Sequence, residues 1–369
     1  MAKYIWYSGA TDITGKALAD ALGLTGTKIK PKNLSKNDIV MGWGTKTKEN
    51  VNLGTATVLN HPDNIRRNRN KFRSLETMFA SKDLKASVAT FCKAGGVIYQ
   101  LGHNTMKLPL VGRTNFHQGG KGFWLCLTEQ HVEKAIADGA QYFQTYIGIA
   151  DEYRLHVAFG KIIYAVKKVE NATEAGWINQ RKEKINDYAK KNKVNLNNDT
   201  LDYVLKRLVK EAVLPDRIVR SNKRGWKFSS VQLNNVNTAL KNAAIKSVDV
   251  CDLSFGAVDC AISVDGLPYI IEINSGPGLQ GTALQKYIDA FSAKIAELEH
   301  PVVKHNNPIK AAAAAIGKAV GAAPAVNNNP PNLGKAPVID AGLMHMMNAV
   351  QSPEEARMVL DVWKKQQGV

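Results

Sequence analysis

Residues 255–279 read FGAVDCAISVDGLPYIIEINSGPGL. Two apolar runs, 257–264 and 268–273, flank Asp265-Gly266. That dipeptide suits a tight type I′ turn, in which both central residues take positive φ. The stretch therefore predicts an antiparallel hairpin. Asp259 stands on its first strand, and Glu272 and Asn274 stand two apart on its second, so those two share a face. Two carboxylates and an amide oxygen are hard donors in small number. Such a set suits Mg²⁺, with water and phosphate oxygens completing the shell, and does not suit Zn²⁺. An ordinary hairpin with a solvated acidic face is the plainer alternative. The Pro277-Gly278 turn directly after the polar strand end weighs against it.

Upstream, residues 4–7 form a strand candidate that meets Gly9, and Asp12 and Thr14 open a helix over 16–22. Strand candidates at 38–44 and 56–59 follow, the latter ending at Asn60-His61-Pro62. Alternation of strand and helix predicts a small parallel α/β unit over residues 1–60. Residues 64–80 read as one basic helix with Phe72, Leu75, Met78 and Phe79 on a helical period. Short strands are expected at 88–91, 97–99, 108–113 and 123–127, with a glycine-rich loop at 117–122. A helix at 128–138 and a strand at 141–147 precede a hairpin, 153–159 and 162–166, turned at Gly160-Lys161.

From 171 to 214 the chain reads as helical, polar and basic; residues 171–230 hold 14 Lys/Arg against 7 Asp/Glu. Helices are expected at 231–247 and 281–298. After residue 299 an Ala-rich run and Asn327-Asn328-Asn329-Pro330-Pro331 read as a linker. Ser352-Pro353-Glu354-Glu355 then starts a last helix carrying Met358, Leu360 and Trp363. The 300–369 segment is a docking arm, an oligomerisation element, an attachment segment or a helix folded back on the body. No internal repeat is visible.

The 369 residues are 44% hydrophobic and 22% charged, which excludes wholesale disorder. No apolar run approaches the ~18–20 residues of a membrane span, and the N-terminus reads as a strand rather than a signal peptide. Cys92, Cys126, Cys251 and Cys260 are scattered without a CxxC, and the eight histidines show no HExxH. Reduced core thiols and a cytoplasmic protein are expected. Lys and Arg number 49 against 32 Asp and Glu, a formal charge of +17. Such a field attracts anions, whether nucleotides, nucleic acid or acidic proteins.

Asp259, Glu272-Ile273-Asn274 and Pro277-Gly278-Leu279 resemble the C-terminal metal motif of the ATP-grasp superfamily, nearest its RimK-like, glutamate-ligase branch. The resemblance runs in order from about residue 60 to 296. It implies an α/β, ATP-grasp fold: a pre-ATP-grasp unit over 1–60 and an ATP-grasp domain over 61–299. Within the latter, about 84–150 would be a small nucleotide-clasping subdomain and 171–214 an insertion. The 300–369 tail has no counterpart in the family.

The resemblance also implies roles. Lys71 and Arg113 would contact phosphate; the family usually has Lys where Arg113 stands. Gly119, Gly120, Lys121 and Gly122 would form the flexible loop over the phosphates. Thr145, Tyr146 and Ile147 would be the hinge whose backbone meets adenine; the family often has Glu at the place of Thr145. Glu152 would bind ribose and Arg154 the phosphate or acyl intermediate. Arg220 would steady the transferred phosphoryl, with Ser221 and Asn222 helping to hold nucleotide or metal. Of the neighbours Lys167 and Lys168 only one can face the cleft, and Lys167 is preferred. Asp259, Glu272 and Asn274 would hold the metal.

The implied activity is ATP-dependent carboxylate–amine ligation through an acyl phosphate, yielding ADP and phosphate. The implied cofactors are ATP and Mg²⁺, two ions, with Mn²⁺ able to substitute. The implied partners are a carboxylate and an amine substrate, such as an amino acid and an acidic peptide or protein, with no membrane. A Gly-Trp after the Arg-Ser-Asn stretch is similar to ATP-grasp proteins of tailed phages, which would place the chain in the host cytoplasm. The alternative is a non-catalytic, nucleic-acid-binding or virion-associated protein. It would use Arg217, Arg220, Lys223, Arg224 and Lys227 as a basic patch with Trp226 as a stacking aromatic.

Overall fold

The computed structural model describes residues 1–8, 12–116, 122–170, 220 and 226–300. The basic segment expected at 171–214 and the linker and last helix expected beyond residue 300 lie outside the described residues.

A first sheet is wholly parallel. It comprises β1 (Lys3–Tyr7), β2 (Thr25–Thr27), β3 (Ile39–Trp43) and β4 (Thr57–Leu59), in the order β2-β1-β3-β4. Strand β3, Ile-Val-Met-Gly-Trp, is buried along its whole length, as a central parallel strand must be. Gly42 is required there, because a Cβ would lie 2.2 Å from the Asn60 carbonyl oxygen. Helix α1 (Ile13–Leu22) is capped by Asp12, whose carboxylate accepts from Gly15 N, and ends at Gly23 with φ of +63°.

Two helices follow where one was expected. α2 (Pro62–Arg69) and α3 (Lys71–Ala80) are separated by an extended Asn70, whose side chain accepts from Arg73 N at 3.2 Å. An Asn that bonds its own downstream backbone restarts a helix rather than continuing one. The break places Lys71 at the first position of α3.

The second sheet is antiparallel and runs β5-β8-β6-β7, from β5 (Phe91–Lys93), β6 (Leu110–Arg113), β7 (Phe123–Cys126) and β8 (Tyr142–Thr145). The strand expected at 97–99 is instead helix α4 (Val97–Gly102). Val97 is buried while Ile98 and Tyr99 are exposed, a one-sided pattern that a helix satisfies. Helix α5 (Glu129–Ala137) completes this layer, with Val132 and Ala135 packed near Leu110, Cys126 and Phe143.

The third sheet has the order β11-β10-β9-β12-β13. Its strands are β9 (Ile149–Ala158), β10 (Lys161–Glu170), β11 (Trp226–Ser230), β12 (Phe255–Ser263) and β13 (Pro268–Asn274). The expected hairpin at 255–279 is present, and β9 pairs with β12 on its other side. Its turn is not type I′: Gly266 N–H donates to Ser263 O at 2.9 Å, and Gly266 takes a positive φ while Asp265 does not. One face of this sheet carries Tyr153, Leu155, Val157, Val258, Cys260 and Ile270. They pack with Leu240, Ala244 and Val248 of α6 (Thr238–Val250) and with Leu75 and Met78 of α3. The helix expected at 231–247 begins only at Thr238, where Asn237 caps it by accepting from Leu240 N. Residues 226–230, not anticipated as a strand, form the edge of the sheet.

Helix α7 (Gly281–Glu299) joins the first and third sheets. Trp43 stacks on Phe255 at 5.6 Å between ring centroids and meets Tyr287 and Phe291 edge-on. The parallel sheet is thereby locked against the hairpin that bears Asp259.

Candidate active site

Strand alternation leaves the face of the third sheet opposite α6 polar. Register places Arg154, Asp259 and Glu272 in one row across β9, β12 and β13, where directly opposed Cβ atoms stand about 5 Å apart. Arg154 donates through Nε to Asp259 Oδ1 at 2.7 Å and through Nη2 to Oδ2 at 2.9 Å. Burial would push the Asp259 carboxyl up. Arg154, with Lys168 and Lys71 beyond it, overrides that and holds the carboxyl below its ordinary value. Burial works against the charge of Arg154 too, yet Asp259, Glu272 and Glu152 raise its pKa.

Lys71 comes from α3 and places Nζ 3.4 Å from Glu272 Oε2. Its backbone N–H donates to Asn115 O at 2.9 Å, which ties the start of α3 to the segment following β6. Tyr142 of β8 is hydrogen-bonded to Arg113 and feels the charge of Glu272. Burial raises its phenol, Arg113 opposes the rise and Glu272 adds to it. Arg113 stacks over Phe123 at 5.3 Å, and its buried Nε has no hydrogen-bond partner. Arg113 thus meets the same polar face from the second sheet.

Lys168 joins Glu152 in a buried ion pair on this face. Burial pushes the Glu152 carboxyl up, and Lys168 counters it. The preference for Lys167 is corrected: strand alternation turns Lys167 to the opposite face, where it pairs with Asp151 at 2.7 Å and lies over Tyr153. Glu152, expected to meet ribose, is 5% exposed and paired with Lys168. At the hinge, Thr145 N–H donates to Thr90 O and Tyr146 N–H to Pro109 O at 3.0 Å.

Arg220 donates from Nη2 to Ile149 O at 2.6 Å and stacks on Trp226 at 4.6 Å. Arg154 stacks on Phe228, also at 4.6 Å, and Lys168 lies over the same ring at 5.7 Å. Trp226 and Phe228 are two apart on β11, so both aromatic rings underlie cations of this one face. The sequence reading missed Phe228 and Tyr142, although the W-x-F alternation at 226–228 was visible, and it named Lys168 only as the less favoured of two neighbours. Trp226, the stacking aromatic of the alternative basic patch, is 6% exposed beneath Arg220.

Gly122 takes φ of +60°, and a Cβ there would lie 2.6 Å from Thr114 Oγ1. Gly119, Gly120, Lys121, Ser221 and Asn222 lie outside the described residues.

Asp259, Glu272 and Asn274 fit a magnesium ion by their chemistry, as hard oxygen donors around one end of the hairpin. Asn274 Oδ1 accepts from Gly276 N at 3.3 Å, which orients the amide. Among the described residues there is no cluster of three His, Cys, Asp or Glu able to hold a metal alone. An ion here would need oxygens from water or a bound phosphate.

No protein-family model matches the sequence, and no curated protein matches it. Solved structures do. The ATP-grasp ligase PsnB complexed with minimal precursor, Mg and ADP superimposes with a TM-score of 0.50 at 10% identity, over 81% of this chain and 97% of that one. D-alanine–D-alanine ligase from Bacillus anthracis gives 0.50 and 10%, over 81% and 95%. The chain has the ATP-grasp fold, a mixed α/β architecture of one parallel and two antiparallel sheets. Among the described residues, no helix is long and apolar enough to cross a membrane.

Proposed function

We propose that this chain is an ATP-dependent carboxylate–amine ligase of RimK-like type that works through an acyl phosphate. One observation carries the reading: a single polar face gathers Asp259 and Glu272 with Arg154, Lys71, Lys168 and Arg113, drawn from two sheets and a helix start. The fold shared with known ATP-grasp ligases supports it.

The chemistry asks a substrate carboxylate to meet the terminal phosphoryl group of ATP in line, against charge repulsion. Lys71, Arg113 and Arg220 offset that repulsion as charge spreads over the transferred group. Magnesium at Asp259, Glu272 and Asn274 would neutralise phosphate charge when bound. Binding of a nucleotide must draw Lys71 from Glu272 toward phosphate. The acyl phosphate then meets an amine, and Arg154 stabilises the oxyanion of the addition step. Water would destroy the anhydride, so the reaction requires its exclusion, the part that the family resemblance implies for residues 117–122. An acidic peptide is the favoured macromolecular substrate, given the charge of +17.

The test is product analysis. With Mg²⁺, ATP, pooled amino acids and an acidic peptide, mass spectrometry is expected to find added residues, with ADP and phosphate formed in equal amount. AMP as product would refute the acyl-phosphate route. Failure of Mg-ATP to raise the melting temperature of the parent protein would refute the ligase reading as a whole.

A further inference from the structure

The carboxyl edge of the parallel sheet holds polar groups for which the site above has no use. Lys28 and Lys30 follow β2 there, and Lys46 and Lys48 follow β3. Register fixes their relation, because Trp6 of β1 pairs with Thr27 on one side and Gly42 on the other. Strands β2 and β3 therefore end at similar heights on either side of β1, about 10 Å apart by two strand spacings, and each is followed by a lysine pair. All four side chains are exposed, and among the described residues none has a salt-bridge partner. The acids near this edge do not neutralise them: Asp12 caps α1, Asp63 is engaged by Arg66 and Val51 N, and only Glu49 stands exposed.

Thr45, directly before Lys46 in the loop after β3, is 1% exposed, and its buried Oγ1 has no hydrogen-bond partner. Thr47 Oγ1, two residues on, is also buried and unpartnered. A buried hydroxyl left unmade costs free energy comparable to a lost hydrogen bond. Two in one short loop mark a place where a ligand supplies the missing partner. This loop touches the candidate active site. Gly44 N–H donates to Ser275 O at 3.3 Å, and a Cβ on Gly276 would lie 2.7 Å from Gly44 Cα. In parallel α/β sheets ligands bind beyond the carboxyl ends of the strands.

We propose that this edge is the docking surface for an acidic peptide. The four lysines capture its carboxylates, the Thr45 and Thr47 hydroxyls donate to its carboxylate or carbonyl oxygens, and the Gly44–Gly276 contact leads it to Glu272 and Asn274. The proposal deepens the ligase reading and rests on it for the fate of the bound peptide. A peptide fits better than a nucleic acid strand, which stacks its bases on aromatic rings. Among the described residues, the exposed aromatic side chains Tyr99, Phe116 and Phe228 all belong to other segments.

The probe is fluorescein-labelled octaglutamate, its binding to the full chain followed by anisotropy at low and raised salt. The parent is expected to lose affinity as salt rises. The variant K28E/K30E/K46E/K48E is expected to bind at least tenfold more weakly, and Thr45→Val several-fold more weakly, with the Mg-ATP thermal shift kept in both. If the fourfold variant does not fold, K46E/K48E serves, with a several-fold loss expected. Unchanged octaglutamate affinity in the charge-reversed protein would overturn the proposal. So would salt-independent binding, or a labelled oligothymidylate that binds more tightly than octaglutamate and is released by the same substitutions. The parent's response to Mg-ATP tests the ligase reading separately, whereas octaglutamate binding at these lysines decides the docking surface by itself.

Discussion

Arg154 and Asp259 face each other across β9 and β12 and are joined by two parallel hydrogen bonds of 2.7 and 2.9 Å. Two-pronged geometry of this kind belongs to guanidinium and cannot be reproduced by an ammonium. Both groups are largely buried, so removing one strands the other. Arg154→Met and Asp259→Leu are each expected to lower unfolding free energy by about 3–5 kcal/mol, while the double variant recovers most of the loss. Urea denaturation of the three proteins, read as a double-mutant cycle, checks this. Additive losses would show that the two groups act independently.

Glu272 is the carboxylate that Lys71 leaves when a nucleotide binds under the proposed function. Its side chain and that of Lys71 are 24% and 15% exposed, less buried than the Arg154–Asp259 pair. Glu272→Gln is therefore expected to change the stability of the free protein by about 1 kcal/mol or less. It should nevertheless abolish the Mg²⁺-dependent part of the ATP thermal shift. Titrations with ATP in magnesium and in a chelator, parent against variant, separate the two effects. An undiminished magnesium response in the variant would place the ion elsewhere.

The hairpin at 255–279, the first parallel strands and the row of Asp259 with Glu272 were legible because strand alternation and an Asp-Gly turn leave marks in sequence. The partners of these residues were not. Lys168 and Lys167 are adjacent, and only the pairing of β10 with β9 decides which one meets Glu152. Asn70 sits inside an uninterrupted helical period, so the restart that puts Lys71 at the head of α3 depends on a local side-chain bond that periodicity does not register. Trp226 in a basic run looked like a platform for nucleic acid. Its burial under Arg220 depends on contacts made across the sheet.

His156 offers a prediction from proton linkage. It lies two residues from Arg154 on the same face, with Nδ1 3.3 Å from the Tyr287 hydroxyl and Tyr164 beside its ring. Burial, then the charge of Arg154, pushes its pKa down to about 4, with Asp259 opposing. Between its ordinary 6.5 and about 4 the unfolded chain takes up a proton that the folded chain refuses. Stability therefore falls as pH drops through that window, by about 3 kcal/mol in all. Glu152, whose pKa is raised, contributes a slope of opposite sign, so the difference between proteins is the quantity to measure. His156→Gln is expected to flatten the fall between pH 6.5 and 4. Parallel slopes in parent and variant would remove His156 as the cause.

The β11 aromatics make a last prediction, about orientation rather than charge. Phe228 carries the guanidinium of Arg154 at 4.6 Å and the ammonium of Lys168 at 5.7 Å on a ring that is itself 42% exposed. A ring at the sheet edge that leaves this much surface open adds little to the core. Its interaction with two cations of the site is worth about 1 kcal/mol at partial exposure. Phe228→Leu keeps apolar bulk and loses the π face, so the melting temperature should move by only a few degrees. Under the proposed function, turnover should fall about fivefold with the KM for ATP nearly unchanged, because Arg154 is there assigned to the addition step and not to nucleotide capture. Phe228→Tyr restores a ring and should restore turnover. A Leu variant as active as the parent, or a Tyr variant as impaired as Leu, would mean that the bond to Asp259 alone positions Arg154.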